Sequence, residues 1–279
     1  MKLARKLVFE NQVAIVTGAS QGIGRAIALG LAAKEAMLFL VGRNTAALHE
    51  VTELARKSSP SVVAYATDLI AEGATTIIAE KILQQLGGID MLIHCAGAYS
   101  QGGLQTASID ELDRLYRTNV RMPYLLTQSL LPMLKRRQGQ IAFVNSSKGL
   151  QAHANAGQFA ATQHALKAIA DSLREEVNSD GVRVLSVYPG RTATPRMEAI
   201  FQMEGKEYRP ELLLQPEDIA EVVINALMMP LTAEVTNINI RPRIKSLYMS
   251  GYTDDDIRKM VSTNTARAIG IEADLATLQ

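Results

Sequence analysis

Chemistry in this 279-residue chain can come from only a few places. The first is the turn Thr17-Gly18-Ala19-Ser20-Gln21-Gly22-Ile23-Gly24. Glycines there let the main chain approach a bound group closely. Set between a strand and a helix, the turn aims backbone N–H groups and a helix N-terminus at one point, where the helix dipole favours a pyrophosphate. The second is the amide of Asn119 with the hydroxyl of Ser147, both able to donate and accept hydrogen bonds. The third is Phe159-Ala160-Ala161-Thr162-Gln163, whose end residues stand one turn apart on one helix face. Phe159 has no proton to give, and Gln163 is neutral with two donors and an acceptor.

For the first stretch to work, a strand must end near Thr17 and a helix must open at Gly22. The chain supplies that alternation throughout. Short β-branched and apolar runs at 13–17, 37–41, 62–67, 91–94, 140–145, 182–187 and 235–240 read as strands. Longer patterns at 22–33, 45–57, 71–86, 109–137, 157–178 and 216–229 read as helices. Such alternation implies an α/β domain with a parallel sheet of about seven strands covered on both faces. Ser108 can cap the fourth helix, with Asp110 and Glu111 in its positive first turn. Pro216 suits a first helical position. The segment 191–215 stands apart, as does the chain after Pro242, where 253–261 has the cap, acidic start and basic end of a helix. The chain therefore divides into one domain over 1–242 and a helical extension over 243–279.

The chain is 47% hydrophobic and 20% charged, enough for one large core. Twenty-nine basic against twenty-eight acidic side chains leave a net charge of +1, which argues against a nucleic-acid or membrane-surface partner. No apolar run approaches the ~20 residues that span a bilayer. The basic start over 1–10 is too interrupted for a signal peptide, so the expected location is the cytoplasm. The single cysteine, Cys95, permits no internal disulfide and no cysteine metal cluster, and no metal site is expected.

The spacing of the glycine turn after the first strand, followed in order by Asn119 and Ser147, resembles the short-chain dehydrogenase/reductase family over about residues 10–242. The resemblance implies a Rossmann-type doubly wound sheet and hydride transfer between a nicotinamide and a carbonyl or alcohol. By the same resemblance, Thr17, Gly18, Ser20, Gln21, Gly22, Ile23 and Gly24 hold the cofactor at its pyrophosphate, and Asp68 and Leu69 meet its adenine. His94-Cys95-Ala96-Gly97 falls on the family's Asn-Asn-Ala-Gly turn, with Ala96 and Gly97 beside the cofactor. Pro189, Gly190, Thr192 and Thr194 match the turn that meets the nicotinamide. At the end of the second strand, Gly42 stands where an NAD-selective relative carries a carboxylate, and Arg43 and Asn44 follow. A guanidinium there suits a 2′-phosphate, so NADP(H) is preferred over NAD(H); otherwise Arg43 is a solvated helix-entry residue.

In the family, proton transfer uses an Asn, a Ser and a Tyr-x-x-x-Lys pair. Asn119 and Ser147 match the first two, while Phe159 takes the Tyr position and Gln163 the Lys position. A phenol of pKa ~10 is lowered by the neighbouring ammonium, and losing this acid removes about 10²–10⁴-fold of catalysis. Gln163 can still reach nicotinamide ribose hydroxyls. His153 and Lys148 are candidates for a substitute acid, whereas His164 points about 100° away round the helix. The segment 197–208, with Ile200, Phe201 and Met203, reads as a lid over an apolar pocket. The long helices pair across subunits in relatives, which implies a homodimer or homotetramer. Three readings stay open: a divergent NADP(H)-dependent oxidoreductase on a small carbonyl or alcohol, a cofactor-binding regulatory protein, and a structural partner subunit of an active relative.

Overall fold

Val13–Thr17 (β1) is a run of five apolar or β-branched residues, all buried, because it lies at the centre of a sheet with both faces covered. A computed structural model describes residues 9–243 of the chain. Six more strands follow: Met37–Gly42 (β2), Val62–Ala66 (β3), Met91–His94 (β4), Gln140–Val144 (β5), Arg183–Pro189 (β6) and Asn237–Ile240 (β7). All pair in parallel, in the order β3-β2-β1-β4-β5-β6-β7. The expected seven-stranded doubly wound sheet is borne out. Chain order reverses between β1 and β4, and in such sheets the crevice at the strands' carboxyl ends takes the ligand.

The helices form the two outer layers. Gly22–Ala32 (α1), Thr45–Ala55 (α2) and a last helix, Pro216–Leu227, cover one face. Ile27, Leu31, Val51 and Val223 pack there on Val16, Leu38 and Leu40. Ala74–Leu86 (α3) shares the other face with two long helices, where Ile78, Leu126 and Leu166 pack on Ile15, Phe39 and Phe143. Neighbours such as Ile15 and Val16 thus serve opposite cores, as strand alternation requires. Each such fully buried side chain contributes about 1.5–3 kcal/mol.

Three local differences from the sequence reading have physical causes. α3 starts at Ala74 rather than 71 because Gly73 turns left-handed at φ 74°. The helix expected over 109–137 is broken into Ile109–Tyr116 (α4), a π turn at Arg117–Arg121 and Met122–Arg137 (α5). Pro123 has no N–H for the carbonyl four residues back, that of Asn119, and its ring crowds it. The chain widens there, and the Met122 N–H reaches back to the Arg117 carbonyl. After Gly157–Val177 (α6), the segment expected as a lid over 197–208 overlaps Pro195–Met203 (α7), capped by Thr194, ahead of Pro216–Leu227 (α8). The helical reading of 253–261 lies outside the described residues, as does the expected extension beyond residue 243. Among those residues no helix is long and apolar enough to cross a membrane, and no cluster of His, Cys, Asp and Glu could hold a metal ion.

Candidate functional site

The glycine turn sits at the crevice where the sheet reverses. A Cβ on Gly24 would lie 2.3 Å from the Gly18 carbonyl oxygen, and one on Gly18 2.9 Å from Ala96 N, so backbone meets backbone with no room for side chains. Thr17 Oγ1 accepts from both Cys95 N and Ala96 N at 3.1 Å and so fastens the end of β1 to the turn after β4. Gln21 is exposed at the N-terminus of α1, and Ile23 lines the main cavity. Opposite stands the turn after Pro189. Thr192 donates to the Gly190 carbonyl at 3.1 Å, and Thr194 caps α7 by accepting from Met197 N. Thr194 Cγ2 lies 3.0 Å from where a Gly22 Cβ would fall. Two turns therefore face each other across the N-terminus of α1, a geometry able to hold an extended anionic ligand.

Farther along the crevice, a Cβ on Gly42 would meet Ser20 at 3.3 Å. Arg43 is exposed and makes no hydrogen bond or ion pair with the described residues. Asn44 caps α2 by accepting from Ala47 N at 3.0 Å. Asp68 is exposed and accepts from Ile70 N, while Leu69 is buried behind it. His94 stacks on Phe143 at 4.8 Å and shares a 2.9 Å hydrogen bond with Thr127. Burial pushes its pKa down to about 3, so the ring is neutral. Burial pushes the Cys95 thiol up, which fits the inert thiol expected.

Of the four proton-transfer candidates, two line a cavity of about 830 Å³ and two, Asn119 and Gln163, lie behind its wall. Ser147 and Phe159 line it, and the Ser147 hydroxyl is free of hydrogen bonds to the described residues. Phe159 is 9% exposed, with the ring of Tyr99 edge-on at 4.9 Å. Gln163, one turn deeper, is 5% exposed, yet its side-chain amide bonds to none of the described residues. Asn119 has a bracing position. Its Oδ1 accepts from Ala98 N at 2.7 Å, and its Nδ2 donates to the Ala98 carbonyl and to Thr162 Oγ1. His153 is exposed on the cavity wall beside Lys148, and His164 bonds to the Ala160 carbonyl away from it.

A model of the short chain dehydrogenase family matches residues 12–205. The chain belongs to the short-chain dehydrogenase/reductase family. An uncharacterized short-chain type dehydrogenase/reductase of Sinorhizobium fredii is 34% identical over 238 residues, spanning 83% of this chain and 91% of its own. An alcohol dehydrogenase from the archaeon Thermococcus sibiricus, complexed with 5-hydroxy-NADP, superposes with a TM-score of 0.76 at 26% identity, over 84% of this chain and 97% of its own. The L-sorbose reductase of Gluconobacter frateurii, complexed with NADPH and L-sorbose, has a TM-score of 0.76 at 25% identity, over 85% and 97%.

Within this short-chain dehydrogenase/reductase the cavity keeps the largely apolar surface expected and adds charged side chains to it. Ile200 and Phe201 do point inward, but Phe201 packs against Tyr208 and lies under the Arg191 guanidinium, 4.6 Å from the ring. Arg191, Glu204, Lys206 and Glu207 then line the wall. Sequence reasoning also missed Tyr99 and Arg196. Arg196 is exposed and donates to the Gly97 carbonyl at 2.6 Å. Both arise from contacts between distant segments that no local spacing announces. The one signal available for Tyr99 was its place just after the turn that follows β4, which lies at the crevice.

Proposed function

We propose that the chain binds NADP(H) and acts on a small carbonyl or alcohol, with turnover slowed because the proton-relay pair is replaced by Phe159 and Gln163. Binding is supported by the facing turns at the N-terminus of α1 and by the unbonded amide of Gln163, a fit for ribose hydroxyls. Gly42, beside Ser20 and followed by the unpaired Arg43, favours a 2′-phosphate over a bare ribose. When bound, the nicotinamide supplies or accepts hydride. The Ser147 hydroxyl orients the substrate oxygen by hydrogen bonding. Asn119 holds the turn at Ala98 against α6 through Thr162. The observation that carries the reading is the side chain at 159: a ring in the cavity wall with no hydroxyl, next to a free Ser147.

The same ring favours a second reading, in which the protein holds NADP(H) without turning it over. Exposed Ile109, Tyr116 and Tyr124 on α4 and α5 support the homo-oligomer that the family resemblance implies. Calorimetric titration with NADPH, NADP⁺ and NADH, followed by turnover on a carbonyl panel, tests both. Binding of NADPH tighter than NADH, with turnover about 10²-fold or more below that of an intact relay, is expected. No binding of either NADP form up to millimolar concentration would end both readings.

A further inference from the structure

Around Ser147 the cavity is lined by more positive charge than its own carboxylates can balance. Lys148, Arg191, Arg196, Lys206, Arg209 and Arg241 contribute cations, against Glu204 and Glu207. Most of these charges already have a partner. Arg209 pairs with Glu211. Glu204 accepts from Arg191 at 2.9 and 2.7 Å and from Lys206 at 2.7 Å. Although burial opposes its charge, these two cations hold the Glu204 carboxyl below the usual range.

Lys148 and Arg241 are the exceptions, and of the two only Lys148 adjoins Ser147 in the chain. It directly follows Ser147 in the turn at Ser147–Gly149 and is half-buried in the cavity wall. Its ammonium makes no hydrogen bond or ion pair with any described residue. Burial, and then the repulsion of Arg191, push its pKa down, and the more distant charge of Glu204 offsets this only in part. A cation drawn out of water without a partner is costly, and an anion at that point would remove the cost. Ser147 and Lys148 line the same cavity, so one small molecule can meet both the hydroxyl and the ammonium.

We propose that Lys148 holds a carboxylate carried by the substrate itself, so that the site selects oxo acids, or the matching hydroxy acids, over uncharged carbonyl compounds. The Arg191 fork is engaged by Glu204, which leaves a point charge rather than a bidentate donor, and a point charge suits a carboxylate without favouring phosphate. The inference rests on the reading of this cavity as a carbonyl site beside a bound nicotinamide.

The test is a binding measurement on NADP⁺-saturated protein with levulinate and with 2-pentanone, its uncharged counterpart, by saturation-transfer NMR. Levulinate is expected to bind at least about tenfold tighter than 2-pentanone. Lys148→Met is expected to erase that difference by weakening levulinate alone, and Lys148→Arg to retain most of it, circular dichroism verifying the fold of each. Equal affinity for the two probes, or a levulinate preference that survives Lys148→Met, overturns the proposal. Failure of the prior NADP⁺ titration would instead refute the cofactor reading. Levulinate titrated without nucleotide then still judges Lys148 on the same criterion.

Discussion

Restoring Phe159→Tyr together with Gln163→Lys separates a site that lacks only its proton relay from one remodelled throughout. Phe159 lines the cavity at 9% exposure, so a hydroxyl added to its ring enters beside open space, and the single change is expected to alter stability by about 1 kcal/mol or less. Gln163 is different. At 5% exposure, a lysine there brings an ammonium into a largely dry position. Gln163→Lys alone is expected to lose about 1–3 kcal/mol, or roughly 2–4 °C in Tm for each kcal/mol.

In the double variant the two side chains lie one turn apart on α6, separated by about 6 Å of rise, close enough for the ammonium to favour phenolate. General acid catalysis of about 10²–10⁴ corresponds to roughly 3–5 kcal/mol of barrier. The double variant should therefore raise kcat/KM for carbonyl reduction about 100-fold or more. Phe159→Tyr alone, with a phenol near its free pKa of ~10, should give about tenfold. The assay is the loss of NADPH absorbance with a carbonyl panel, alongside NADPH titration and thermal melts. A folded double variant that binds NADPH as before but reduces no faster than wild type would refute the reasoning.

Two further outcomes follow from the structure. Arg43→Ala should weaken NADPH binding about 10–100-fold, as expected for losing charge-assisted hydrogen bonds, and leave NADH unchanged; calorimetry showing equal loss for both would remove Arg43 from the 2′-phosphate. His94 has a folded pKa of about 3 against an ordinary 6.5, so the unfolded chain binds the extra proton first. Stability linked to His94 is complete above pH 6.5 and is lost as pH falls toward 3, by up to about 1.4 kcal/mol per unit. Urea unfolding at pH 7 and pH 5 should fall more steeply for wild type than for His94→Asn, and parallel curves would contradict this.

Central strands were legible because burial on both faces gives unbroken apolar runs, as in Val13–Thr17. β7 is half exposed with alternating burial, and its start was read two residues early. The π turn escaped because buried Leu115, Asn119, Met122, Leu126 and Leu130 keep an approximately helical rhythm across it. One extra residue in a turn disturbs that rhythm little, and only the missing N–H of Pro123 marks the place. α7 is nine residues long with Ile200 and Phe201 as its buried residues, too short a pattern for periodicity to register.

The site divides along the same line. The glycine turn, Ser147 and the pair at 159 and 163 are contiguous or helix-spaced, so local sequence carries them, whereas Tyr99, Arg191 with Glu204, and Arg196 meet only through the fold. That division bears on how the relay positions can vary. Asn145 donates to the Gln163 backbone carbonyl at 3.0 Å and accepts from Ser146 N at 2.7 Å, fixing the Ser147 turn to α6 without using either variable side chain. Asn119 likewise grips α6 through Thr162, whose hydroxyl donates to the Phe159 carbonyl. Both anchors hold the main chain of residues 159 and 163 without hydrogen bonding to their side chains. A ring without a hydroxyl and an amide without a charge can therefore occupy these positions while Ser147 stays in place, so the acid chemistry and the scaffold that would hold a cofactor are physically separable in this chain.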